Sequence, residues 1–138
     1  MESVKDDNRC FACGKSNPIG LKLDFEKRGE YTVSLLNFDK NFAGWENMVH
    51  GGILSTVLDE VMVKSANNNG FTCVTAELNV RYKKPCHTGM EYELKGKVVD
   101  IRKNIIITEG KILNMDGKII ASGSGKLFII NPNRGSIK

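Results

Sequence analysis

Between residues 51 and 66, apolar side chains return at helical intervals. With successive residues about 100° apart, Ile53, Leu54, Val57, Leu58, Val61 and Met62 form one broad side. The spacing predicts a helix over 51–66, ended by Asn67-Asn68-Asn69-Gly70, a run suited to a left-handed stop. Beyond it the pattern changes to period two. Strands are predicted over 72–83, 91–102, 105–114 and 118–130, with turns at Arg102-Lys103-Asn104 and Met115-Asp116-Gly117. Ahead of the helix, "LKLDFEKRGEYTVSLLNF" reads as two strands joined at Arg28-Gly29, its alternation starting at Leu21, Leu23 and Phe25. The segment "DKNFAGWENMVHGG" is loop-like. One helix between an initial hairpin and four long strands implies an α+β domain, an antiparallel sheet curled around a single central helix. Its open edges would be managed by pairing with a second copy.

Composition narrows the class. A chain of 138 residues, 41% hydrophobic, is the size of one domain that can bury a core without staples. The boundaries read as an N-terminal extension with a C-x-x-C turn over 1–16, the domain over 17–130, and a basic tail over 131–138 that is expected to fray. A net charge of +4 suits an anionic small molecule and is too weak to argue for nucleic acid; the 7% aromatic residues are not interleaved with basic runs. With neither an apolar run of membrane-spanning length nor a basic-then-apolar leader, a soluble, cytoplasmic protein is expected. Of the four cysteines, only Cys10 and Cys13 have metal-like spacing. Zinc needs four ligands, and the histidines are His50 and His87, so a complete site would have to gather scattered groups. The reading adopted is reduced thiols in a tight turn, with no metal.

The helix carries the candidate chemistry. Glu60 and Lys64 form a narrow charged strip, in the i, i+4 order that supports a helix by about 0.2–0.5 kcal/mol, and a solvent-facing pair is expected there. Asp59 lies roughly opposite the apolar centre, among Ser55, Val63 and Ala66, with no basic residue at helical neighbours to pair with. So small and neutral a face looks like a contact surface. Covered by a second subunit, Asp59 becomes a partly desolvated carboxylate with a raised pKa, suited to general-base or nucleophilic work; uncovered, it is an ordinary helical acid. At the head of the helix, Gly51 and Gly52 leave unpaired backbone N–H groups open to a ligand, where a carbonyl oxygen gaining charge would be held. Gly51 precedes Asp59 by about two turns, so donor and carboxylate could flank one reacting carbonyl. A bare pair of glycines could equally be a flexible joint.

Taken together, His50-Gly51-Gly52, Leu58-Asp59 and "TAELNVRYKKPCHTG" (75–89) resemble the hotdog-fold acyl-CoA thioesterases of the PaaI-like (phenylacetyl-CoA thioesterase) type, over residues 17–130. The resemblance implies a long helix wrapped in an antiparallel sheet and homodimers joined sheet edge to sheet edge, often paired into homotetramers. The active site would sit at the subunit interface, with no metal or organic cofactor. By resemblance, Asp59 is the general base or nucleophile, Gly51 the donor to the thioester oxygen, and Thr75 the hydroxyl that positions water. His50, Gly52 and Asn47 would lie beside the substrate, although His50 could instead cap local backbone. Arg81, Lys83 and Lys84, with Arg102 and Lys103, would meet the coenzyme A phosphates. The chain departs from several members in carrying Gly44 where they have an asparagine six residues before the histidine, which bears on substrate orientation; "GWENMV" is like the loop of other relatives.

These readings point to a hydrolase that splits an acyl-CoA into free acid and coenzyme A. The alternative is a non-catalytic acyl-CoA binding or sensing protein on the same fold. A hydratase would pair a histidine with its acid in a different local pattern. Trp45, Phe42, Met48 and Met62 are candidates to line an acyl pocket.

Overall fold

A computed structural model describes residues 4–130 of the protein. The predicted tail over 131–138 and the first three residues of the predicted extension lie outside the described residues. Six strands form one antiparallel sheet: β1 (Glu26–Arg28), β2 (Tyr31–Asn37), β3 (Cys73–Tyr82), β4 (Glu91–Arg102), β5 (Ile105–Asn114) and β6 (Ile119–Ile129). Their spatial order is β1-β2-β4-β5-β6-β3. The helix α1 (Gly51–Asn68) crosses one face of this sheet. This is the predicted hotdog architecture, and the four strands after the helix fall within a residue or so of their predicted limits.

Helix α1 begins and ends for local reasons. His50 is the N-cap, its Nδ1 accepting from the Gly52 N–H at 2.8 Å. At the other end the Phe71 N–H bonds back to the Ala66 carbonyl, and Gly70 takes φ +90. The three asparagines each close a gap. Asn67 Nδ2 donates to the Phe71 carbonyl, Asn69 Nδ2 to the Ser65 carbonyl, and Asn68 Nδ2 to the buried Thr32 hydroxyl on β2.

The apolar side of α1 lies against the sheet, with Leu54, Val57, Leu58, Val61 and Met62 buried among Leu36, Tyr92, Leu94, Ile112 and Ala121. A smaller cluster at the far end gathers Ala66, Phe71, Ile106 and Leu127. Ala66 is therefore core and not part of the outer face to which periodicity assigned it. The helix approaches closely because Gly96, Gly110 and Gly123 sit opposite one another across β4, β5 and β6. A Cβ on Gly96 would stand 2.9 Å from Val61 Cγ1, and one on Gly110 3.1 Å from the same methyl.

Two expectations need correction. The first predicted strand is only the three residues of β1; Leu21, Leu23 and Phe25 alternate as read, but they pack on the core from a segment outside the sheet, whose Leu21 and Leu23 N–H groups bond to the Phe11 and Ala12 carbonyls. Lys22 has φ +54, which breaks a strand run. The second concerns Glu60, whose side chain is only 14% exposed because the N-terminal segment covers it; Cys10 Sγ lies 3.7 Å from its Oε1, and Lys64 Nζ 4.0 Å from Oε2. No helix among the described residues is long and apolar enough to cross a membrane.

Candidate active site

The loop before α1 is closed upon itself. Gly44 N–H bonds to the Met48 carbonyl, Val49 N–H to the Cys86 carbonyl and His50 N–H to the Phe42 carbonyl, so the chain enters the helix from a fixed direction. A cavity of about 580 Å³ opens there, walled by Trp45, Met48, Val49, Leu54 and Cys86, with His50, Gly51, Lys83 and Lys84 also lining it. Trp45 is 79% exposed at its edge. Trp45 and Met48 thus line a cavity as read from sequence; Phe42 lines a different one beside β1 and β2, and Met62 is wholly in the core.

The two glycines differ. The Gly52 N–H is taken by His50 Nδ1, so within this chain the histidine caps the helix, one of the two roles left open for it. Among the described residues the Gly51 N–H has no acceptor. It is the one donor at the helix head that both borders the cavity and remains unspent.

Tyr82, which sequence reasoning passed over, fixes this corner. Its hydroxyl donates to the Gly51 carbonyl at 3.1 Å and shares a 2.5 Å hydrogen bond with Ser55 Oγ. A Cβ on Gly51 would rest 3.4 Å from the Tyr82 ring, an ordinary contact. The local signal was weak: a tyrosine ending a strand is common, and only the β3 register brings it beneath the helix head.

Asp59 is half-buried on the side of α1 toward β3, and the Thr75 hydroxyl donates to its Oδ1 at 2.6 Å. Asp59 has no cationic partner among the described residues. The structure therefore brings together Asp59 with Thr75, and Gly51 with His50, Gly52, Lys83 and Lys84, as two separate groups. Eight residues of helix at 1.5 Å each place Gly51 and Asp59 about 12 Å apart along one axis. A single carbonyl cannot touch both within one chain.

The remaining candidates are dispersed. Asn47, at φ +64, bonds through its carbonyl to the Thr88 N–H and does not line the cavity. Arg81 faces a third hollow, of about 410 Å³, with Asn79, Glu109 and Lys111. Arg102, paired with Asp100 at 2.7 Å, and Lys103 turn the chain at the opposite end of the sheet from Tyr82, since Ile105 and Val74 share Phe128 as neighbour.

Three thiols are held protonated. Burial pushes Cys73 up to about 11, with the Asp59 charge adding to it, and burial likewise raises Cys86 to about 11. Cys13 reaches about 12, through burial first and then its contact with Glu60.

Comparison with known proteins now places the chain. The family described as the thioesterase superfamily matches residues 46–121, more than half of its length. The chain belongs to the thioesterase superfamily. It is 27% identical over 115 residues to an uncharacterised protein of Schizosaccharomyces pombe, covering 79% of this chain and 65% of that protein. It is 28% identical over 105 residues to an acyl-coenzyme A thioesterase of Mus musculus, covering 76% and 45%. The chain thus spans less than two thirds of the length of either. Among solved structures, a thioesterase superfamily protein aligns with TM-score 0.81 and 27% identity over 88% of this chain and 63% of that one. The Escherichia coli PaaI protein aligns with TM-score 0.73 and 20% identity, covering 78% and 83%. A hypothetical thioesterase protein of Streptococcus pneumoniae, solved with coenzyme A, aligns with TM-score 0.73 and 20% identity, covering 78% and 88%. That protein has also been solved with one aspartate, and separately one threonine sixteen positions later, replaced by alanine.

Proposed function

We propose that this thioesterase superfamily member hydrolyses an acyl-CoA thioester to the free acid and coenzyme A, in a site completed by a second copy of the chain. The observation that carries the reading is Asp59: a half-buried carboxylate with no cationic partner among the described residues, held by the Thr75 hydroxyl. Free Gly51 amide and Asp59 lie too far apart on one helix to serve one carbonyl. Two copies whose helices lie antiparallel across a two-fold axis would bring the Gly51 of one against the Asp59 of the other. Strand β3 favours this assembly, because among the described residues it pairs only with β6 and leaves a ten-residue edge open beside Asp59 and Thr75.

In such a site the thioester carbonyl points its oxygen at the Gly51 N–H, where the helix dipole stabilises developing negative charge. Asp59 either takes a proton from the attacking water or attacks the carbon itself. In the first route the C–S bond then breaks, the proton held by Asp59 passes to the sulfur, which leaves as the coenzyme A thiol, and the acid is released; in the second, C–S cleavage leaves an acyl–Asp59 anhydride, and water hydrolyses it to the free acid and the carboxylate while a solvent proton completes the thiol. Thr75 fixes the carboxylate, and the cavity walls at Trp45, Met48 and Leu54 take up apolar parts of the substrate. Lys83 and Lys84 at its rim meet phosphate. The reaction so written calls for no organic cofactor. Support also comes from the coenzyme A and acyl-coenzyme A named for relatives, and from the Asp–Thr interval of sixteen shared with the pair altered in the Streptococcus pneumoniae protein.

The test is a panel of acyl-CoAs followed by released thiol, with Asp59→Asn alongside. Turnover falling by about 10²-fold or more in the variant is expected. Unchanged turnover would remove the chemistry, and saturable acyl-CoA binding without thiol release would turn the reading toward a sensor.

A further inference from the structure

The N-terminal segment sets two thiols against a carboxylate on the outer strip of α1. Cys10 Sγ, Cys13 Sγ and a Glu60 carboxylate oxygen all lie within 4.8 Å of one another, each residue half-buried. Spacing alone could not show the third donor, since it lies fifty residues away on the helix. The turn that presents the thiols is built without help from them. Gly14 N–H closes onto the Cys10 carbonyl, Ser16 N–H onto the Asn8 carbonyl, and Asn17 Nδ2 onto the Arg9 carbonyl. Gly14 is required there, because a Cβ would stand 2.3 Å from the Cys10 nitrogen.

We propose that Cys10, Cys13 and Glu60 bind one zinc ion, with solvent in the fourth position, and that the ion pins the N-terminal segment to the central helix. Thiolate and carboxylate donors suit Zn²⁺, and a tetrahedral site has donor-to-donor edges of roughly 3.5–3.8 Å. The 3.7 Å between Cys10 Sγ and Glu60 Oε1 is already that edge. Charge argues the same way. Without metal, a carboxylate only 14% exposed faces two weak S–H donors and one lysine amine 4.0 Å away. With metal, two thiolates and a carboxylate balance Zn²⁺ and Lys64, leaving the cluster neutral. The same contacts hold Phe11 and Ala12, whose carbonyls accept from Leu21 and Leu23, so the ion would also steady the strip that packs on the core.

The experiment uses the full chain reduced with a phosphine, titrated with Co²⁺ and then Zn²⁺. One equivalent of Co²⁺ giving thiolate charge-transfer and tetrahedral d–d absorption, displaced by Zn²⁺, is expected. The bands should vanish in Cys10→Ser and Cys13→Ser, and Glu60→Gln should weaken binding about tenfold or more. Limited proteolysis should cut within residues 4–25 faster after chelation in the wild type only. Absence of the bands in the wild type, or equal Co²⁺ affinity in Glu60→Gln, overturns the proposal. Because the readout is binding and not turnover, the result is independent of the proposed hydrolysis.

Discussion

The two glycines at the head of α1 are adjacent in sequence and opposite in need. Gly52 gives its N–H to His50 Nδ1, and a Cβ there would press on that imidazole at 3.1 Å; Gly51 has room for a methyl beside Tyr82. Gly51→Ala is therefore expected to leave the melting temperature essentially unchanged while lowering kcat about tenfold or more, since a methyl crowds the approach to the free N–H. Gly52→Ala should lower the melting temperature by displacing the cap, at a cost of about 1 kcal/mol. Thermal unfolding and acyl-CoA kinetics on the same pair of variants separate the two roles. At Thr75 the proposed route uses the hydroxyl, which bonds to Asp59, and not the methyl. Thr75→Ser should keep turnover and Thr75→Ala should lose about ten- to a hundredfold in kcat with little change in KM, as befits a residue that only aims Asp59. Cys73 and Cys86, buried and raised to about 11, should resist iodoacetamide in the native state at pH 8. Below their pKa the thiol form dominates, and the reactive thiolate is only about 0.1% of each. Rapid native-state alkylation at either position would contradict the packing described.

At the scale of elements, what could be read from sequence was what local periodicity encodes. The apolar stripe of α1 and the asparagine-glycine stop locate the helix, and period-two alternation locates β3 to β6. Asp59 stood out because the same helical wheel that buries Val57 and Val61 leaves it opposite them. Features set by register between distant segments were invisible. Tyr82 under Gly51, Glu60 under the cysteine turn, and the alignment of Gly96, Gly110 and Gly123 each need two or three elements in place before they exist. Alternation at Leu21, Leu23 and Phe25 reported burial correctly and strand pairing wrongly, because Leu21 and Leu23 bond to the carbonyls of the N-terminal turn at Phe11 and Ala12 and not to a strand, with Lys22 at φ +54 between them. The glycine row has a stability consequence. Gly96→Ala pushes a methyl to 2.9 Å from Val61 Cγ1 on a fully buried helix face, where neither the strand nor the helix can retreat. It should destabilise by about 1–3 kcal/mol, read by urea unfolding. The double variant Gly96→Ala with Val61→Ala should recover part of that loss, because the clash is specifically with the valine methyl.

For the whole molecule, the decisive distance is the one along α1. A donor and a carboxylate on one rigid helix, about 12 Å apart, form two half-sites, and catalysis by the proposed route needs them drawn from different copies. That requirement can be tested without any structure of the assembly. Gly51→Val blocks the donor half and Asp59→Asn the carboxylate half, so each homodimer has no intact site. In a mixed dimer one site inherits both defects, while the other inherits neither. Refolding the two variants together at equal amounts should form mixed dimers as half of the population, each with one intact site, and should restore about a quarter of wild-type turnover per chain. If the two groups served one carbonyl from the same chain, every site in the mixture would carry a defect and thiol release would stay at the level of the separate variants. Recovery on mixing, rising with time as subunits exchange and absent when either variant is mixed with itself, is the expected outcome.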